Sequence, residues 1–504
     1  MSKLIGIDLG TTAIKGILVD ESGEIQAKAS EEYELEYKGN NICELAPEMY
    51  WNNFILVINS LIDISKVNPD EIKAISFSSQ AETLIVVDQS GNPLRKAIIW
   101  MDNRSTEEAE EIKNKFSEKY INEFTGQPEI LPIWPASRIL WLRKHEKNVF
   151  NKIHKYLLVE DYIIYKLTGK YFTETTLISS TLYFNIKRKA WWSEMLHFLN
   201  ITAQQLPKVV NPGAFTDVVQ ETAAMECGLS INTQVIAGAY DHAAGAIGAG
   251  NTAQGMVTET TGTAMAMVIT LDESLDNYSL NLPLQIHPLE NKYFLLPYGQ
   301  TAGLVLKWFR DTFCSEEIMA SQDKDQNVYE LLDNLASKAP PGCDGLIMLP
   351  HLMGSGSPEF INKAKGVFEG ITPSTDRSHF IRSIMESVAY MIRRNLEVLY
   401  DHDISIREMI VLGGGSKSDL WNQIKADVTG IPVRSMLVED TATIGAAVLA
   451  GTGSALFSSI DEGISKLCHY KRLYVPDKNN MEIYENMYHR YVSLSGKMTE
   501  YWNE

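Results

Sequence analysis

At 504 residues the chain is long enough for two or more domains with large cores, and its 45% hydrophobic and 22% charged residues are the proportions of a soluble globular protein. A formal net charge of -19 and a pI near 5.1 argue against a nucleic-acid partner, and no basic run is long enough to form a patch. The five cysteines show neither CxxC nor paired His spacing, which argues against a disulfide framework or a zinc site and fits a reducing compartment. No basic leader with an apolar core opens the chain, and no apolar run reaches the roughly 18 residues of a membrane span, so a cytoplasmic protein without a membrane partner is expected.

The first predicted element is a strand at residues 4–7. It runs into Asp8-Leu9-Gly10-Thr11-Thr12, and a second strand at 16–20 leaves at once. Glycine at such a tip lets the backbone approach a phosphate, and the Thr11 and Thr12 hydroxyls add donors. Asp8 can orient a hydrated Mg2+, and Lys15 can reach phosphate oxygens as a point charge. The plain alternative is a hairpin with Asp and Gly at its turn.

Residues 24–37 read as further strand and 47–64 as a helix. A strand at 72–78 ends in Gln80-Ala81-Glu82-Thr83, and a short one at 97–100 ends in Met101-Asp102-Asn103-Arg104-Ser105. Strand ends are where α/β proteins place ligand groups, which makes Gln80, Glu82, Trp100, Asp102 and Arg104 candidates. The alternative is that Asp102 or Ser105 caps the helix predicted over 106–116 and that Arg104 pairs with a helix carboxylate. A proline-broken loop spans 126–135, a helix follows over 136–145, and residues 156–169 read as a strand turning into a helix with a Gly stop. Trp191 and Trp192 are expected to open a helix as core residues. A strand at 235–239 ends in Tyr240-Asp241-His242, and a helix of small residues over 243–249 begins immediately. Asp is a favoured helix N-cap at such a position.

Composition breaks at Gly250-Asn251-Thr252, where a domain boundary is expected, giving domains over 1–250 and 251–504. The second half opens as the first did, with a strand at 256–259, the tip Thr260-Thr261-Gly262-Thr263, and a strand at 264–270. Two similar tips suggest a duplicated α/β domain with a nucleotide held between the copies. Gly303 precedes an amphipathic helix, and a long helix is predicted over 376–401. A strand at 409–412 ends in Gly413-Gly414-Gly415-Ser416-Lys417-Ser418, before a helix at 419–428. Glycines between strand and helix suit a phosphate or ribose, although neither GxxxxGK[ST] nor GxGxxG occurs. Another helix of small residues spans 441–449, and 484–501 reads as a structural helix.

The opening tip resembles the first phosphate loop of the sugar kinase, actin and heat-shock ATPase superfamily. The order of motifs resembles the FGGY carbohydrate kinases, a family that includes xylulokinase, gluconokinase and glycerol kinase. Gly366-Val367-Phe368-Glu369-Gly370-Ile371, then His379-Phe380 and Ser383-Ile384-Met385-Glu386, look like that family's C-terminal signature. In the N-terminal signature, Trp134 to Leu142, Arg138 stands where the family usually has Lys. The resemblance implies two ribonuclease H-like α/β domains with a nucleotide cleft between them, an N-terminal sugar domain and a C-terminal nucleotide domain. It implies Asp241 as catalytic base and Asp8, Thr11, Thr12 and Lys15 around metal and transferred phosphate. Thr261, Gly262 and Thr263 become the second phosphate loop, and Gly303, Lys307, Gly414, Gly415 and Ser418 surround adenosine. Gln80, Ala81, Glu82, Trp100, Asp102, Arg104 and His242 fall on the substrate side. Here Ala81 replaces an Arg of the glycerol kinase pattern, Ile133 replaces its Tyr, and His242 follows the base where Gln is commoner. The expected activity is ATP- and Mg2+-dependent phosphorylation of a small open-chain sugar or polyol, a xylulose-like ketose foremost. The alternatives are a gluconate-type kinase, with Arg104 aimed at the carboxylate, and a non-catalytic ATP sensor, against which the intact Asp8 and Asp241 speak. The resemblance also admits a homodimer.

Overall fold

The computed structural model describes residues 2–504 except Asn40, Asn277, Lys324 and Asp325. Two mixed sheets dominate it. The first contains β1 (Lys3–Leu9), β2 (Ala13–Asp20), β3 (Ile25–Glu32), β4 (Ile72–Ser79), β5 (Phe215–Val218), β6 (Gln234–Ile236) and β7 (Ala239–Tyr240). Its order is β5-β6-β4-β1-β2-β3, with β7 also beside β4. β1, β2 and β3 run antiparallel in turn, β4 is parallel to β1, and β6 and β7 are parallel to β4. Near-continuous apolar runs such as Leu4, Ile5 and Ile7 fit strands covered on both faces.

The expected strand over 235–239 is split into β6 and β7. The break falls at Gly238, where a Cβ would stand 2.1 Å from the Phe77 carbonyl oxygen, so the chain passes β4 too closely for any side chain. The helix that follows, α1 (Asp241–Gly248), starts two residues earlier than the small-residue run suggests. Trp191 lies in a two-residue strand and Trp192 is the N-cap residue of its helix, so neither tryptophan opens the helix itself.

The second sheet repeats the plan. It contains β8 (Met256–Thr261), β9 (Met265–Leu271), β10 (Leu284–Ile286), β11 (Tyr293–Leu295), β12 (Tyr298–Gly299), β13 (Glu408–Leu412), β14 (Val433–Met436) and β15 (Tyr470–Tyr474). The order is β10-β11-β9-β8-β13-β14-β15, with β12 also beside β9. β8 and β9 form an antiparallel hairpin, and β13 and β14 extend it as parallel neighbours, as β4 and β6 extend β1 and β2.

Each sheet feeds a helix of small residues from its parallel side. In the first this is α1. In the second it is α2 (Thr441–Gly453), which follows β14. The two helices pack on each other at a distance only small residues allow: a Cβ on Gly445 would stand 1.9 Å from the Ala244 carbonyl oxygen, and one on Gly248 would stand 1.8 Å from that of Thr441. α2 also covers β1, where a Cβ on Gly6 would meet the Thr443 carbonyl oxygen at 2.1 Å. A helix late in sequence therefore packs on the first sheet and ties the two halves together. All five cysteines are buried and free. Among the described residues no helix is long and apolar enough to cross a membrane.

Candidate active site

β1 ends at the first hairpin tip, and its register places Asp8 opposite Ser78 of β4. The Ser78 hydroxyl donates to Asp8 Oδ1 at 2.7 Å. Burial pushes the Asp8 carboxyl up to about 7. The Ser78 hydrogen bond and the Lys15 ammonium oppose the shift, and the Asp241 charge adds to it. The Gly10 N–H closes the turn onto the Ala13 carbonyl at 3.1 Å, leaving Thr12 exposed at the tip. Two buried donors hold the Gly10 carbonyl from behind: the Tyr33 hydroxyl, and Gln80 Nε2 at 2.7 Å. Trp100 Nε1 donates to Thr11 Oγ1 at 2.9 Å, which joins the tip to the strand end at residue 100. Lys15 Nζ donates to Asp440 Oδ1 at 3.0 Å. Burial works against the ammonium, but this pair outweighs it and holds the Lys15 pKa above its ordinary value. Both side chains are near 42% exposed, so the pair is worth at most about 1 kcal/mol.

Asp241 stands just past β7. Ala239 is in register with the same Ser78 that faces Asp8, so the two carboxylates leave the same end of the sheet on either side of β4. Asp241 is the first residue of α1, whose N-cap is Tyr240; its carboxylate accepts the His242 N–H at 2.6 Å. The position is therefore not the N-cap that sequence suggested. Burial raises the Asp241 pKa, and the neighbouring His242 opposes this. The His242 ring packs edge-on against Tyr240. Glu82 joins the group. Burial pushes its carboxyl up to about 7, opposed by a Ser180 hydrogen bond and reinforced by the Asp241 charge. Its backbone is left-handed, at φ 62°.

Several residues expected on the substrate side are engaged by partners within the fold. Gln80 is spent on the hairpin: besides Gly10, its Oε1 accepts the Thr83 hydroxyl at 2.8 Å. Ala81 is buried in the apolar core. Asp102 is fully buried and accepts from the Cys43 N–H at 2.7 Å and from Arg104 Nε at 2.9 Å. Arg104 forks onto Asp102 and also reaches Glu44 at 2.8 Å, with its guanidinium over the Trp141 ring. Asp102 and Arg104 thus form a buried ionic cluster with Glu44 and Arg95. The reading of Arg104 as a helix-carboxylate partner or a ligand group missed this, because Glu44 is distant in sequence.

The second hairpin ends alike. The Gly262 N–H closes onto the Ala264 carbonyl at 3.0 Å, leaving Thr263 and Ala264 exposed. Thr261 is buried, and its hydroxyl is committed: it donates to Glu259 Oε1 at 2.5 Å and accepts from Lys425 Nζ at 2.8 Å. Its side chain therefore supports the tip from beneath. Lys425 and Glu259 are both 0% exposed and paired at 2.6 Å, a buried ion pair that sequence gave no sign of. Two further segments converge on the tip. α3 (Gly303–Phe313) begins on it, with the Gly303 N–H on the Gly262 carbonyl at 2.9 Å and room only for glycine, since a Cβ would stand 2.5 Å from that oxygen. In the glycine-rich segment a Cβ on Gly415 would meet Thr261 at 2.7 Å, whereas one on Gly414 would meet nothing within 4 Å. Ser418 caps α4 (Asp419–Thr429), accepting the Trp421 N–H at 3.0 Å. Lys307 is exposed on α3. Asp440, paired with Lys15, and Glu439, paired with Lys417 at 2.8 Å, link the two tips' surroundings through the start of α2.

Two α/β lobes, each with a hairpin tip flanked by parallel strands, define an actin-like ATPase fold. The structure superposes on a ligand-bound xylulose kinase of Lactobacillus acidophilus with a TM-score of 0.91 at 26% identity, covering 100% of this chain and 99% of that one. A gluconate kinase of the same organism gives the same TM-score, identity and coverage. The xylulose kinase of Staphylococcus xylosus is 28% identical over 499 residues, 98% of this chain and 100% of its own. The model of the FGGY family of carbohydrate kinases, N-terminal domain, matches residues 3–248, and that of the C-terminal domain matches residues 257–454. The chain belongs to the FGGY family and is a carbohydrate kinase.

Proposed function

We propose that this kinase transfers the terminal phosphoryl group of ATP to a hydroxyl of a small open-chain sugar or polyol, a xylulose-like ketose foremost. The observation that carries the reading is the placement of Asp8 and Asp241 around Ser78 at one end of the first sheet. In this reading Asp241 accepts the proton of the attacking hydroxyl as the O–P bond forms and ADP leaves. Glu82 and Trp100 face the substrate, the carboxylate for hydroxyls and the indole for C–H groups. The division of labour follows the proposed domains, sugar over 1–250 and nucleotide over 251–504.

The residues present fit Mg2+ and a nucleotide. Asp8 Oδ1 is held by Ser78, and Oδ2 lies toward Gly10, 3.7 Å from where a Cβ there would stand. The tips at Thr11-Thr12 and Gly262-Thr263, the space over Gly414, and the start of α4 at Ser418 suit phosphates and a ribose. Mg2+ at Asp8 would supply positive charge to the transferring phosphoryl group. Lys15 spends one of its three donors on Asp440, a weak pair, and keeps the others for a phosphate. The gluconate reading draws support from the equal likeness to a gluconate kinase. It loses the cation that sequence offered it, because Arg104 is buried against Asp102 and Glu44.

The test is ADP release with a panel of ketopentoses, tetritols, glycerol and gluconate. The reading expects the highest kcat/KM with a ketopentose. A clear preference for gluconate overturns the substrate class and leaves the chemistry standing, and no release with any acceptor favours the sensor.

A further inference from the structure

Arg138 lies on the helix Pro135–His145 and is completely buried. A guanidinium in such a place normally meets a carboxylate. Among the described residues Arg138 has no ion pair within 4 Å, and its hydrogen bonds go to backbone carbonyls. Nη1 donates to the carbonyl of Glu82 at 2.5 Å and, more weakly, to that of Ile98 at 3.4 Å. Nη2 donates to the carbonyl of Trp100 at 2.7 Å and to that of Asp102 at 3.3 Å. One planar fork therefore ties together the segments that follow the strands Ile72–Ser79 and Ala97–Ile98, at residues 82 and 100.

The tied residues are those of the substrate side. Glu82 is held in a left-handed conformation, at φ 62°, that a non-glycine residue occupies only when its surroundings enforce it. The Arg138 bond to its carbonyl is the shortest it makes. Trp100 in turn fixes Thr11 of the phosphate hairpin through its indole N–H. Burial lowers the Arg138 pKa to about 10, still cationic at neutral pH, with Asp102 and Glu82 opposing the shift.

We propose that Arg138 is the positioning residue of the substrate end of the site. It touches no substrate, but it sets where the Glu82 carboxylate and the Trp100 indole stand, and sugar affinity depends on it. This inference rests on the substrate reading given above, and only an acceptor on which the wild type turns over can test it.

Two variants separate positioning from packing. Arg138→Met keeps the approximate length and removes every donor. Arg138→Lys keeps a charge and three donors, but one ammonium cannot span both segments as the fork does. Positioning predicts that KM for the acceptor rises about tenfold or more in R138M and less in R138K, the loss of a charge-assisted hydrogen bond in each step. ADP affinity by calorimetry stays within about threefold of wild type. A packing role predicts the reverse order, since Met fills the cavity and Lys leaves an ammonium without its partners. Equal acceptor KM in R138K and wild type, at equal melting temperature, overturns the proposal, and so does an R138K effect larger than that of R138M. Should R138M fail to fold, R138K alone decides: a raised acceptor KM with unchanged ADP affinity supports the proposal. A wild type that turns over no acceptor refutes the substrate reading and, with it, this inference.

Discussion

Asp8 and Asp241 flank Ser78: one is in register with it on β1, and the other stands two residues past Ala239, which is in register with it on β7. Ser78 donates to Asp8 alone, so Asp241 keeps its carboxylate for another proton donor beyond its own helix amide. In Asp241→Asn the side-chain oxygen can still accept the His242 N–H, and the N-cap is Tyr240 in either case. The variant should melt close to wild type or slightly above it, because the amide is isosteric with a carboxylate whose charge burial disfavours, and it should bind nucleotide. It should lose turnover by roughly 10²- to 10⁴-fold, the worth of a general base. Melting curves, nucleotide titration and ADP release check this together. Full activity in the folded fraction would move the base to Glu82.

Asp8→Asn separates metal binding from folding. Asn can still accept from Ser78, so the sheet should hold. The wild type should bind ATP more tightly with Mg2+ than with a chelator, and the variant should lose most of that difference along with turnover. A normal kcat at saturating Mg2+ removes Asp8 from the metal site.

Local pattern made much of the fold legible. The strand–tip–strand runs at 4–20 and 256–270 are hairpins, and the helix expected over 106–116 is found at Thr106–Phe116. What failed was long-range pairing. Nothing near Arg104 in the chain announces Glu44, nothing near Thr261 announces Lys425, and Arg138 read only as a variant residue in a signature. Each is a polar group whose role is decided by a partner dozens to hundreds of residues away. The Gly238 break is similar, because only the closeness of Phe77 forbids a continuous strand.

The pair Lys425–Glu259 beneath the second tip gives a stability prediction. Both side chains are 0% exposed, and Thr261 shares their hydrogen bonds. Lys425→Met leaves a buried carboxylate without its cation, a change that costs about 3–5 kcal/mol. Lys425→Met with Glu259→Gln should recover a large part of that loss, because removing both charges removes the desolvation each suffers. Urea unfolding of the three proteins checks the order. A single variant as stable as wild type would show that the pair contributes nothing.

Behind β7 lies a second group of acids, and it sets a pH dependence. Glu160 Oε1 accepts the Gly238 N–H at 2.7 Å, and Glu174 accepts from Thr176 and Leu177. Asp161 accepts the Leu158 N–H at 2.8 Å. All three carboxyls are buried, and among the described residues none has a cation partner. Burial pushes Asp161 from 3.8 up to about 7 and Glu174 from 4.5 up to about 8, against the pull of their amide and hydroxyl donors. Burial and the adjacent Glu174 raise Glu160 well above 4.5. Between pH 4 and 8 the folded chain therefore holds more protons here than the unfolded chain does. Stability is then fully present below about pH 4 for these groups and is lost as pH rises through 7 to 8, with a slope of about 1.4 kcal/mol per pH unit for each extra proton. Glu160→Gln keeps an oxygen for the Gly238 N–H and cannot ionise. Its melting temperature should match wild type at about pH 4 and exceed it increasingly up to pH 8.5. The fall with pH should become shallower but not vanish, since Asp161, Glu174, Asp8 and Glu82 still titrate in the same sense. Thermal unfolding across that range decides the matter: two parallel curves, offset equally at every pH, would mean that Glu160 carries no extra proton in the folded state.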